Sequence, residues 1–282
     1  MIHAGFGLSV LLWSGAAAAE FRPVADRPYR YDTVETRTAD GVTRFQASRT
    51  IVFHKTDAGF DVTVTLDTID ERAGDDVGAM FRAATGALLH RPIRYRLDAS
   101  GAIVDVADAD AAIALIADAI ERISARRARS GDARVLASPL RALPPERKAA
   151  MLRSVLTPVL AGAAADRAPG QRAITLPSRP PLAPGTALEG IETTRSAGGI
   201  VAIEVRAAGG VDTRAAADTH GHDVAIPAQR PTATITSIRH IDAATGLLRD
   251  AHDIAETRLS DGATAHTTQI ETILTLQLRP SR

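Results

Sequence analysis

The feature that most limits what this chain can become is a run of strict alternation. In "FDVTVTLDTID" the residues Phe60, Val62, Val64 and Leu66 fall on one side, and Asp61, Thr63, Thr65 and Asp67 on the other. Side chains of a strand point alternately to opposite faces, so this run buries a clean apolar face only as a strand. Just upstream, "RFQASRTIVF" places Phe45, Ala47, Ile51 and Phe53 at the same period of two, interrupted only by Arg49. The link "TDAG" between the two runs ends in Gly59, the residue type a tight connection favours, so the pair is expected to form a hairpin. "YRYDTVETRTADG" adds a third strand, with Asp40-Gly41 as its turn.

The pattern returns near the C-terminus. Ile270, Leu274, Leu276 and Leu278 share one face with Thr272, while Glu271, Thr275 and Gln277 share the other with Ile273, and Asp261-Gly262 turns the chain before this strand. "TALEGIETTR", "IVAIEVRAA" and "TATITSIRHI" read as further strands, and "SAGG" (196–199) and "AAGG" (207–210) as turns between them. The hairpin "LDASGAI" resembles "IDAATGLL", which suggests a reused element.

Between the strand regions the period changes. "DADAAIALIADAIERISARRARS" spaces Ile113, Ile116, Ile120 and Ile123 by three and four residues, the mark of an amphipathic helix. A second helix is expected in "PPERKAAMLRSVLTPVLAGAAAD", with a stripe through Met151, Leu152, Val155, Leu156, Val159 and Leu160, and a kink or break at Pro158. The Pro- and Gly-rich stretch 166–185 reads as a linker or covering loop. The expected organisation is a signal segment (1–19), a strand-rich region with two helices (20–165), that linker, and C-terminal antiparallel strands (186–282) of the same unit. The expected fold class is α+β: long antiparallel hairpins forming one or two curved sheets packed on a pair of central helices.

The opening "MIHAGFGLSVLLWSGAAAAEF" has an apolar run from Phe6 to Trp13, then small residues and Ala17-x-Ala19 before Glu20, the layout of a cleavable secretory signal. A periplasmic or secreted protein is therefore expected. With no cysteine in the chain, lipid-anchored cysteine, disulfides and thiolate metal sites are excluded. Charges balance at 33 basic and 33 acidic residues, and lysine occurs only at Lys55 and Lys148, so no global field steers the chain toward nucleic acid or anionic lipid. No stretch after the signal is long and apolar enough to span a bilayer as a helix.

Motifs that carry chemistry are sparse. "THGHD" offers His220, His222 and Asp223; imidazoles at i and i+2 on an extended segment point the same way and suit zinc, but a catalytic site needs a third protein ligand and an open position. With Gly221 between them and aspartates on both sides, the expected reading is a solvated turn. "HIDAATGLLRDAHD" brings His240, Asp242, Asp250 and His252 onto what reads as one hairpin, an ordinary polar face in which acid/base partners would stand on adjacent strands. Nucleophile elbows, phosphate-binding glycine loops and dinucleotide fingerprints are missing. No catalytic residue and no cofactor is assigned.

The plan of signal segment, long hairpins, helices and more hairpins resembles bacterial periplasmic half-barrel proteins of the lipoprotein-carrier kind. That resemblance lies in the order of elements, places no site on particular residues, and implies a curved sheet sheltering an apolar ligand. The expected function is non-enzymatic binding of a lipid, another apolar ligand or an envelope protein on the sheet. Two other classes stand beside it: a metal-dependent hydrolase using His220 and His222, and an assembly factor acting through a sheet edge.

Overall fold

The computed structural model describes residues 21–72, 76–127, 133–161, 164, 167–177, 187–210, 231–260 and 265–280. The first strands are β1 (Pro28–Thr38), β2 (Val42–Thr56) and β3 (Gly59–Glu71), followed by α1 (Asp76–Gly86), β4 (Pro92–Asp98) and β5 (Ile103–Val106). Helices α2 (Ala109–Arg127), α3 (Ala133–Arg141) and α4 (Pro145–Leu156) come next, and a 3-10 turn, Thr157–Val159, ends the helical part. The chain then forms β6 (Gly170–Pro177), β7 (Ala187–Ala197), β8 (Ile200–Gly210), β9 (Thr232–Asp242), β10 (Leu247–Ser260) and β11 (Ala265–Leu278).

All 11 strands among the described residues join one antiparallel sheet, in the order β5-β4-β3-β2-β1-β11-β10-β9-β8-β7-β6. Two meanders meet in the middle, where β1 pairs with β11 along its length, Tyr31 opposite Leu276 and Val34 opposite Ile273. The α+β expectation, with sheets packed on a pair of central helices, is thereby overturned. One continuous sheet is the framework, and the helices are short pieces laid on part of one face. The reason is topological: β5 and β6 are the two outer edges, so the connection between them has to cross a face. A flat sheet of this size is roughly 48 Å wide at ~4.8 Å per strand, and no single helix of α2's length, about 28 Å at 1.5 Å per residue, reaches across.

That connection covers β1–β5 and the adjoining parts of β10 and β11. Ile113 of α2, Leu152 and Leu156 of α4, and Val159 are buried with Tyr31, Ile51, Phe53, Val62, Tyr95 and Leu97 in the larger core. Tyr95 donates its hydroxyl to the Leu152 carbonyl at 2.8 Å, tying β4 to α4. Pro158 does separate the second helix: α4 ends at Leu156 and the 3-10 turn follows, because proline offers no N–H to continue the ladder. Met151, expected in the apolar stripe, is exposed.

Three local readings need correction. Helices α1 and α3 were not expected; the first contains two glycines and the second Pro139, which blur the helical period. "AAGG" does not turn but continues β8, where a β-carbon at Gly209 would lie 2.7 Å from the Ala187 carbonyl oxygen, so glycine permits close approach of β7. Residues 170–177, inside the stretch read as linker, form the edge strand β6. "SAGG" does turn the chain, between β7 and β8.

Candidate functional site: the helix-bearing face of the sheet

Strand register assigns every strand residue to the face that carries the helices or to its opposite. On the helix-bearing face, β6–β9 contribute a second apolar cluster that includes Leu188, Val201, Ile203, Val205, Ile235 and Ile241. Among the described residues no α-helix packs on this cluster; Ala161 and Ala164, which follow the 3-10 turn, belong to it or lie against it. Among the described residues, then, α-helices cover only part of this face.

A polar row crosses the same face. Following register from β1 to β6, Glu35 lies beside Thr272, then Asp253, Ser237, Val205, Glu192 and Arg172. Asp253 accepts from Ser237 at 2.5 Å and from Arg239 Nη2 at 2.9 Å. Glu192, 1% exposed, takes Arg167 Nη1 at 2.5 Å and Arg172 Nε at 2.9 Å. Burial lowers the Arg167 pKa, while Glu192 pulls it back up. Glu35 is held by Arg37 at 2.5 Å, and Glu71, on β3, by Arg82. Charges buried this way persist only when paired and hydrogen-bonded, and each of these carboxylates is.

The interruption seen in β2 falls on this face. Arg49 stands opposite Tyr31 in the pairing of β1 and β2, and its guanidinium carbon sits 5.4 Å from the centre of the Tyr31 ring. Arg49 Nη1 donates to Thr33 Oγ1 at 3.0 Å. Burial lowers the Arg49 pKa. The Tyr31 hydroxyl is buried without a hydrogen-bond partner among the described residues, and burial pushes its pKa up to about 12 against the pull of Arg49 and Arg239. Periodicity marked Arg49 as an exception; the register of the neighbouring strands shows what it faces.

The histidines expected on the β9–β10 hairpin lie on the opposite face. His240 Nδ1 is 2.6 Å from Asp250 Oδ1, directly across the strand pair, as the spacing implied. His252 does not join them: its Nε2 lies 2.7 Å from Glu271 on β11. Asp242 belongs to the turn and accepts from the Ala244 N–H at 2.8 Å. These are separate cross-strand pairs, and among the described residues no group of three His, Asp or Glu is arranged to hold a metal. His220, His222 and Asp223 lie outside the described residues. The same outer face has an open groove of about 640 Å³ over β6–β9, lined in part by Glu189, Ile191, Thr193, Arg195, Glu204 and Arg206. Glu204 sits there between Arg206 at 2.5 Å and Arg195 at 3.6 Å.

No helix among the described residues is long and apolar enough to cross a membrane. No protein-family model matches the chain, and no curated protein matches it significantly.

Proposed function

We propose that this is an exported, non-enzymatic binding protein that takes an apolar or amphipathic ligand on the helix-bearing face of its sheet. One observation carries the reading: the cover over that face is unequal. α-Helices pack on the strands of the larger core, whereas among the described residues the apolar cluster of β6–β9 meets only the small side chains of Ala161 and Ala164 from outside the sheet. Two small side chains make few packed contacts, and regions of low local stability are where binding proteins open. The signal-like N-terminus supports an address in the periplasm or outside the cell.

The experiment is native mass spectrometry of full-length protein exported by its own host and purified without detergent, with the mature N-terminus read from the same sample. The expected result is a chain beginning at Glu20 that carries a lipid-sized adduct, removed by organic extraction. A chain free of adduct that also fails to take up a fluorescent apolar probe would overturn the reading. The edge strand β6 favours a second one, docking of an envelope protein by strand addition, because it is paired only to β7 in the sheet. A co-purifying protein in place of lipid would support that alternative.

A further inference from the structure

Among the described residues, each carboxylate that projects from a strand on the helix-bearing face is engaged by an arginine. Of the arginines that project from strands on this face, Arg37 has Glu35, Arg172 has Glu192 and Arg239 has Asp253. Arg49 has no carboxylate within ion-pair distance among the described residues, and its one hydrogen bond goes to the Thr33 hydroxyl. A guanidinium has five N–H donors, and an aromatic ring beneath it satisfies none of them. Beside it the Tyr31 hydroxyl is buried, 1% exposed as a residue, and has no acceptor among the described residues. A buried hydroxyl is nearly always paired, so the Tyr31 hydroxyl, beside a guanidinium with no carboxylate partner among the described residues, marks a place completed by something else. Arg49 itself is only partly buried, which leaves it reachable.

We infer that Arg49 and Tyr31 receive the anionic headgroup, a carboxylate or a phosphate, of an amphiphile whose chain lies on the same face. The inference rests on the binding reading above and adds the chemical class of the ligand to it. The guanidinium supplies the charge and a planar pair of donors suited to an oxyanion, and the phenol supplies a further donor that becomes satisfied only when the anion is present. The other acids of the face do not compete, since each is already engaged by its own arginine.

The test compares dodecanoate, dodecyl phosphate, dodecanol and dodecyltrimethylammonium, each below its micelle concentration, for displacement of a neutral fluorescent probe from the full mature chain. At least one of the two anions is expected to bind about tenfold or more tightly than dodecanol, the gain typical of a charge-assisted hydrogen bond, and the ammonium more weakly. Which anion wins separates a fatty-acid from a phospholipid source. In Arg49→Gln the preference should collapse, with anion and alcohol alike. Tyr31→Phe should reduce it in part, and Arg30→Gln, on the opposite face, should leave it intact. Equal binding of anion and alcohol by the wild type overturns the inference while leaving the binding reading in place; failure of all four amphiphiles to bind overturns both. Ligand-free Arg49→Gln should also melt no lower than the wild type. A loss of several degrees, with no anion preference in the wild type, would assign Arg49 to structure instead.

Discussion

The ring of Phe21 lies so close over Gly101 that a β-carbon there would stand 2.7 Å from Phe21 Cγ. Gly101 closes the β4–β5 turn at φ 83°, and Phe21 packs edge-on against Phe60 with ring centres 5.3 Å apart. Gly101→Ala therefore adds a left-handed backbone penalty of about 1–2 kcal/mol to a steric conflict with a core ring. A loss of about 2–4 kcal/mol is expected in urea unfolding. Gly41→Ala, with nothing within 4 Å of the added carbon, is the control and should stay within about 0.5 kcal/mol.

Two buried tyrosines on the helix-bearing face should respond oppositely to loss of their hydroxyls. Tyr95 donates to the Leu152 carbonyl, so Tyr95→Phe removes a buried hydrogen bond and should cost about 0.5–1.5 kcal/mol. The Tyr31 hydroxyl has no partner among the described residues, so Tyr31→Phe in ligand-free protein should be neutral or stabilising by up to about 1 kcal/mol. Urea unfolding of the two variants side by side decides it; a large loss in Tyr31→Phe would mean its hydroxyl is satisfied.

What could be read from the sequence was what local periodicity encodes. Val62, Val64 and Leu66 are buried and Asp61 is exposed, as the alternation in β3 demands, and Ile113 and Ile120 face the core from α2. The continuity of the sheet was not legible, because it rests on β1 pairing with β11 across nearly the whole chain, a relationship no short window contains. Edge strand β6 escaped for a different reason: only Leu176 of its residues is buried, so it lacks the alternation by which strands announce themselves. Arg49 was visible as an interruption, but its significance depends on carboxylates from β1, β7 and β10 being committed to other arginines. That is a fact of register, not of composition.

Glu192 should be among the residues least tolerant of change. It lies 1% exposed between Arg167 and Arg172, and neutralising it removes the carboxylate that both guanidiniums share, Arg167 being itself only 12% exposed. Glu192→Gln is expected to cost about 3–5 kcal/mol, the usual penalty for breaking one side of a buried pair. Asp105→Asn removes a 3.4 Å pair with Arg96 that is exposed on both sides, and should cost under about 1 kcal/mol. Chemical denaturation of both variants tests the contrast, and similar losses would place the Glu192 cluster in water.

The last prediction uses the scarcity of aromatic residues. The chain has three tyrosines, Tyr29, Tyr31 and Tyr95, so phenolate absorbance reports on these groups alone. Burial raises the pKa of all three: Tyr29 above its ordinary value despite the Val24 N–H donated to its oxygen, Tyr31 to about 12, and Tyr95 further still, with Arg49 opposing the rise in the last two. In the unfolded chain each should ionise near ~10. A pKa raised by folding means that the folded state favours the protonated phenol. The stabilisation is complete below the unfolded value and is lost as pH climbs from about 10 through the folded pKa values. Spectrophotometric titration of the folded protein should therefore show little phenolate at pH 10, followed by a steep rise that coincides with loss of the far-ultraviolet β signal. In denaturant the same titration should move down to the free value. A folded protein whose three tyrosines ionise together near pH 10, with its β signal intact, would show that Tyr31 and Tyr95 are not buried in the ligand-free fold.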